Sequence, residues 1–212
     1  MPDTDPNQVR LTGENSFIRL LAAADGPQVT RVSHWRILYS PAGAGHALFV
    51  ESDLTAGAPR AYADNEAVAR WLQEEIERLL YPPFAAAGLP VTAAAFSREG
   101  DTGSAWTEHV RAAGEAWALT WSDFGEPFEL TLAAGSVEGR PHGVYSCFVP
   151  AGGARVTLNG RAGGGRPFPQ MRGAPGWTTP DAPRSRRGRG RRCCCSGRRA
   201  SGGRDGRRRR GR

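Results

Sequence analysis

Short apolar stretches alternate with turn residues along most of this 212-residue chain. Trp117, Leu119 and Trp121 recur at every second position, so they share one face of a strand. Gly, Pro and Asp occupy the turns between such stretches. The stretches begin roughly 8–12 residues apart, a spacing typical of antiparallel sandwiches and barrels. The pattern predicts a mostly β domain of the α+β class, with a curved antiparallel sheet or partial barrel of about eight or nine strands.

Residues 65–81 depart from this alternation and carry the three- and four-residue spacing of an amphipathic helix. Asp64 or Asn65 can cap the first turn, because their side chains accept hydrogen bonds from free backbone N–H groups. Two prolines follow at 82–83, and proline cannot continue the helical hydrogen-bond ladder. We therefore predict one main helix, with four side chains facing the sheet: Trp71, Leu72, Ile76 and Leu79.

Composition divides the chain into three parts. Residues 1–13 are polar and predicted to be disordered, 14–172 are predicted to form a β-rich globular domain, and 173–212 an Arg/Gly/Cys-rich disordered tail. Fourteen arginines and one acid give residues 184–212 a formal charge of +13, against −6 for the preceding residues and +7 for the whole chain. We expect any attraction to polyanions to come from the tail and to be non-specific.

We interpret the tail after about residue 173 as an out-of-frame translation. The chain has no lysine, which indicates a GC-rich gene, and GC-rich codons in a wrong frame yield mainly the residue types found here. Asn159-Gly160 is a strong hairpin signal, yet no convincing return strand follows it, which predicts an open sheet edge. The alternative is a nucleic-acid-associated protein acting through its arginine-rich tail, with binding that ignores base sequence and weakens steeply with salt.

Aromatic residues in the predicted strands suggest a binding site. Trp35, Trp117, Trp121 and Tyr145 could line a cavity between sheet and helix, and an apolar cavity with a few polar groups is the usual form of a small-molecule site. Aromatics at strand alternation more often pack into a core. The leading functional hypothesis is a lipocalin-like or helix-plus-curved-sheet module that binds a small apolar molecule.

An enzyme using the same cavity is the second hypothesis, with His34, Glu108 or His142 as acid–base groups. The histidines have no metal-ligand spacing, and no glycine-rich phosphate loop leads into a helix. Cys147 and Ser146 lack the turn that exposes a hydrolase nucleophile. We thus predict neither a metal nor a cofactor.

Location is predicted from what the sequence lacks. The N-terminus has no basic segment followed by an apolar run, and no stretch approaches the length of a membrane span. The few cysteines suit a reducing compartment. We expect a soluble cytoplasmic protein that does not contact a membrane.

Overall fold

The structure is a computed structural model that describes residues 8–136, 142–168 and, for the backbone alone, 190–194. It is mostly β with one main helix, which confirms the predicted fold class. Within the described residues there are twelve strands: β1 (Thr12–Leu21), β2 (Gln28–Tyr39), β3 (Gly45–Ser52), β4 (Arg60–Ala63), β5 (Val91–Ala93), β6 (Ala95–Gly100), β7 (Ala105–Ala112), β8 (Glu115–Phe124), β9 (Phe128–Leu132), β10 (Val144–Leu158), β11 (Arg161–Ala162) and β12 (Gly190–Cys194).

The strands form two halves joined by β12. The first half has the order β5-β4-β3-β2-β1, and the second has β10-β8-β7-β6, with β9 and β11 also paired to β10. All pairs are antiparallel except β4–β5, which is parallel. Ala94 connects β5 to β6 at the far ends of the two halves, and its N–H donates to Ala63 O at 2.9 Å. The sheet is not closed into a barrel.

The inner faces of the two halves pack against each other. Both halves contribute to a single cluster of buried side chains, so the sheet curves around it. Burial of this much apolar surface is the main stabilising contribution to such a fold. We call it the inner cluster: Ile18, Leu20, Val32, Leu48, Val50, Tyr62, Val110, Trp117, Leu119, Trp121, Ala151 and Val156.

The outer face of the first half is covered by the main helix. This helix runs through an α segment (Glu66–Leu72), a π turn (Gln73–Glu77) and a last α turn (Arg78–Leu80). The Asn65 side chain caps it by accepting from the N–H of Ala67 at 3.1 Å. The buried side chains between helix and sheet form the helix-side cluster: Trp35, Ile37, Ala47, Phe49, Ala61, Ala63, Val68, Ala69, Leu72, Phe84 and Leu89.

The π turn changes which helix residues face the sheet. Val68 and Leu72 are fully buried, and the next fully buried position is Glu77, five residues on. One extra residue in the turn rotates the buried side of the helix, so the regular 3.6-residue spacing fails beyond Leu72. Leu79 is 37% exposed, and its predicted contact with the sheet is wrong. Trp71 and Ile76 are only partly buried against the helix-side cluster.

Replacing Leu72 by alanine tests this helix face. Leu72 is fully buried, so we expect Leu72→Ala to lower the free energy of unfolding by about 2–5 kcal/mol. The matched variant Leu79→Ala should change it by about 0.5 kcal/mol or less, as exposed positions usually do. Urea unfolding followed by circular dichroism measures both. Equal losses of unfolding free energy in the two variants would contradict the conclusion that the π turn rotates Leu79 away from the sheet.

The end of the chain differs in part from the sequence prediction. Asn159-Gly160 does form a hairpin, but its return strand β11 has only two residues. The edge that we predicted to be open before Asn159 is paired with β11 at Thr157 and Leu158, and β12 pairs with β10 further back, over Cys147–Ala151. Backbone ladders need no side-chain pattern, which is why a segment without strand periodicity can take this position. The remaining predicted tail residues, 173–189 and 195–212, lie outside the described parts of the chain, as do residues 1–7, 137–141 and 169–172.

In those described parts, no helix is both long and apolar enough to cross a membrane.

Candidate functional site

The four aromatic residues nominated from the sequence do not share a cavity. Trp117 and Trp121 are 1% and 0% exposed in the inner cluster, whereas Trp35 lies in the helix-side cluster on the other face of the sheet. Tyr145 is 56% exposed. The expected common surface for Trp35, Trp117 and Trp121 is therefore wrong, because β2 turns Trp35 outward while β8 turns the other two inward.

The acid–base candidates His34 and Glu108 lie at the same end of the interior. His34 on β2 is buried and packs against the ring of Phe96, with 5.8 Å between ring centroids. Glu108 pairs with Arg98, which lies two residues after Phe96 on the same face of β6. His142 lies just before β10, and no described contact joins it to either residue.

Glu108 is held by two strong donors. Its Oε1 accepts from Arg98 Nε at 2.8 Å and from Trp106 Nε1 at 2.6 Å. The Arg98 guanidinium lies 4.0 Å from the centre of the Trp106 ring and also pairs with Glu14 on β1. This Arg98 network ties β1 to β6 and β7, and a carboxylate so engaged is suited to holding Arg98 in place.

A second polar cluster was not found by sequence reasoning. It lies between β1, β2 and the π turn of the helix, and its centre is Glu77, whose side chain is fully buried. Buried carboxylates are rare unless they are paired, and π turns occur often at functional sites. The Glu77 cluster consists of six residues: Asn15, Phe17, Arg31, Ser33, Trp35 and Glu77.

The two oxygens of Glu77 have different environments. Oε1 accepts from Ser33 Oγ at 2.5 Å and from Trp35 Nε1 at 2.7 Å. Oε2 is buried and has no hydrogen-bond partner among the described residues. Ser33 and Trp35 are two positions apart on β2 and so project toward the helix side by side. β2 thus supplies both hydrogen bonds to Oε1 of Glu77, whereas Oε2 can still accept one from a further group.

Burial raises the pKa of the Glu77 carboxyl, and the bonds from Ser33 and Trp35 with the nearby Arg31 charge only partly oppose this. Burial also lowers the pKa of Arg31, which Glu77 in turn raises. The Arg31 guanidinium lies 5.8 Å from the centre of the Phe17 ring and 5.4 Å from that of Tyr81. Both rings and Arg31 are half-buried, and Arg31 is the charged side chain nearest in effect to Glu77.

Two further buried atoms of the cluster are without a partner among the described residues. They are Asn15 Oδ1 and Arg31 Nε. The Asn15 amide nitrogen donates to His34 O at 3.2 Å, which fixes the direction of the amide oxygen. Most buried polar atoms in proteins are hydrogen-bonded, so three such atoms within one cluster could each bond to a water or a ligand group. No sequence pattern indicates this cluster, since regular helix spacing does not turn Glu77 toward β2.

A surface pocket of about 290 Å³ lies beside β4 and the start of β8. Its polar residues already pair with one another: Arg60 and Tyr62 both contact Glu115, the Tyr62 hydroxyl at 2.5 Å. Burial, with the neighbouring Glu115 carboxylate, raises the pKa of Tyr62 to about 12, so its hydroxyl stays protonated at neutral pH. The Glu77 cluster therefore offers more unmet hydrogen-bonding capacity than this pocket.

In the described ranges, no group of three or more His, Cys, Asp or Glu residues could hold a metal ion. Comparisons of the chain with protein-family models, with curated proteins and with solved structures found no match.

Proposed function

We propose that the protein binds a small, mostly apolar molecule between the main helix and β1–β2, with the Glu77 cluster as its polar anchor. The observation that carries this proposal is the grouping of three buried polar atoms without a described partner: Glu77 Oε2, Arg31 Nε and Asn15 Oδ1. Such groups cost free energy unless they are satisfied, so a fold that retains three of them together favours a guest that bonds to them.

The chemistry of the three atoms defines the polar group of the guest. Arg31 Nε donates, Asn15 Oδ1 accepts, and a protonated Glu77 carboxyl can do either. A primary or secondary amide carries both a donor and an acceptor and fits this set. The rings of Phe17 and Tyr81 would contact its apolar part. A lipocalin-like module encloses its ligand within a barrel, whereas this site lies on the outer face of an open sheet.

The binding test uses octanamide as the probe and isothermal titration calorimetry as the measurement. We expect the native chain to bind it, and Glu77→Met, which keeps the volume and removes the carboxyl, to lose about 1–3 kcal/mol of binding free energy. Glu115→Gln, in the surface pocket, is the matched control and should bind as the native chain does. Absence of binding, or equal affinity in Glu77→Met, would show that the cluster holds only water.

An enzymatic use of the same cluster is the second candidate, favoured by the raised pKa of Glu77. A raised pKa keeps a carboxyl protonated over a wider range of pH, and the protonated carboxyl is the form that acts as a general acid. Hydrolysis of octanamide, in which water breaks the C–N bond to give octanoic acid and ammonia, would separate this candidate from binding alone, with the ammonia released as the measurement.

A further inference from the structure

The two halves of the sheet meet at a seam between β1 and β10. Glu14–Phe17 of β1 and Cys147–Ala151 of β10 both pair antiparallel with β12, which lies between them. At the other end of the seam, Leu21 and Arg166 exchange two backbone hydrogen bonds of 3.0 Å. The chain from β11 to Arg166 thus fills one end of the seam, and a short separate strand fills the other.

The residues that flank the middle of β12 are buried. Arg192 pairs with Ser16 on one side and with Val149 on the other, and these two side chains are 1% and 9% exposed. Residues opposite each other on neighbouring strands share a face of the sheet. The middle register position is therefore flanked by buried side chains on both sides and suits a small or apolar residue.

We propose that this seam is a strand-acceptor site that takes an extended peptide with an apolar residue at the register position of Arg192, in place of the chain's own β12. A peptide in the seam gains backbone hydrogen bonds on both of its edges, whereas addition to an ordinary sheet edge supplies one. The partner is therefore a protein segment of at least five residues with strand-like alternation and no central proline. This site is separate from the Glu77 cluster, and its test is independent of ligand binding there.

A disulfide can report whether β12 is in the seam. Cys147 and Cys194 are directly opposite each other, and opposite Cα atoms in antiparallel strands lie about 4.5–5.5 Å apart, within the range that a disulfide spans. Oxidised glutathione converts the two thiols to one disulfide by exchange and releases two molecules of reduced glutathione. In the full chain with Cys193→Ser and Cys195→Ser, we expect an intramolecular link between Cys147 and Cys194.

The matched control keeps Cys193 instead, through Cys194→Ser and Cys195→Ser. Cys193 is opposite Phe148, one position along the strand and so on the other face, and it should not form the link with Cys147. Mass spectrometry of the unreduced, digested chains measures the link in both variants. An equal yield in the control would overturn the register on which the proposal depends.

Competition then tests the acceptor itself. The probe is acetyl-Gly-Thr-Val-Thr-Val-amide, which places valine at the register positions of Arg192 and Cys194. We expect it to reduce the Cys147–Cys194 link progressively to the level of the control. The same peptide with proline in place of the central valine lacks the N–H that the ladder needs and should leave the yield unchanged. If the yield of the Cys147–Cys194 disulfide stays the same at saturating valine peptide, the proposal is overturned. A disulfide between two chains also overturns it, because it would assign the seam to a second copy of the protein.

Discussion

Trp121→Ala is expected to lower the free energy of unfolding by about 3–5 kcal/mol, as removal of a large buried aromatic usually does. Trp121 is fully buried where the two halves of the sheet meet, and its indole N–H donates to Phe17 O at 3.0 Å. The variant would leave both a cavity in the inner cluster and a carbonyl without its donor. Chemical unfolding monitored by far-UV circular dichroism gives the value.

Tyr145→Ala is the control for that experiment. Tyr145 was also nominated as a ligand-binding aromatic, but it is more than half exposed and should lose about 0.5 kcal/mol or less. If Trp121→Ala lowers the free energy of unfolding by less than about 1 kcal/mol, Trp121 would border an existing cavity and not a closely packed core. That outcome would return the inner face of the sheet to consideration as a binding cavity.

Glu77→Gln is expected to remove a pH dependence of stability. The pKa of Glu77 is raised in the folded state above its ordinary value of 4.5, so the folded chain holds this proton more tightly than the unfolded chain. The resulting stabilisation is complete below pH 4.5 and is lost as the pH rises toward the folded-state pKa. Each unit of difference between the two pKa values is worth about 1.4 kcal/mol.

Urea unfolding at a series of pH values between 4 and 8 measures this effect. The stability of Glu77→Gln relative to the native chain should rise across the series, because the variant has no carboxyl to ionise at this position. Glu74→Gln removes an exposed carboxyl from the same helix and is the matched control for the loss of one negative charge. A constant difference for Glu77→Gln would show that Arg31 compensates the charge fully.

Much of the architecture could be predicted from local patterns. Alternation in β8 assigned Trp117 and Trp121 to one face, and they are buried together in the inner cluster. Asn65 and the two prolines after Leu80 bounded the main helix, because capping and chain termination depend on neighbouring residues alone. The predicted number of strands was too low, since β4, β11 and β12 show no strand pattern in the sequence and Ala94 divides β5 from β6.

The candidate site depended on long-range contacts. Glu77 and Ser33 are 44 residues apart, and only the packing of the π turn on β2 joins them. His34 and Glu108 lie at the same end of the interior because the two halves of the sheet curve toward each other. No spacing in the sequence indicates this curvature.

The sequence by itself determined the strand-rich class, the position of the main helix and the change in composition near the C-terminus. Each of these follows from residues close together in the chain, through side-chain alternation, capping and charge. The tertiary structure alone decided that Trp35 lies apart from Trp117 and Trp121, that Glu77 is buried, and that β12 fills the seam. These depend on how the sheet curves and on one extra residue in a helical turn, and both are set by packing between segments that are distant in sequence.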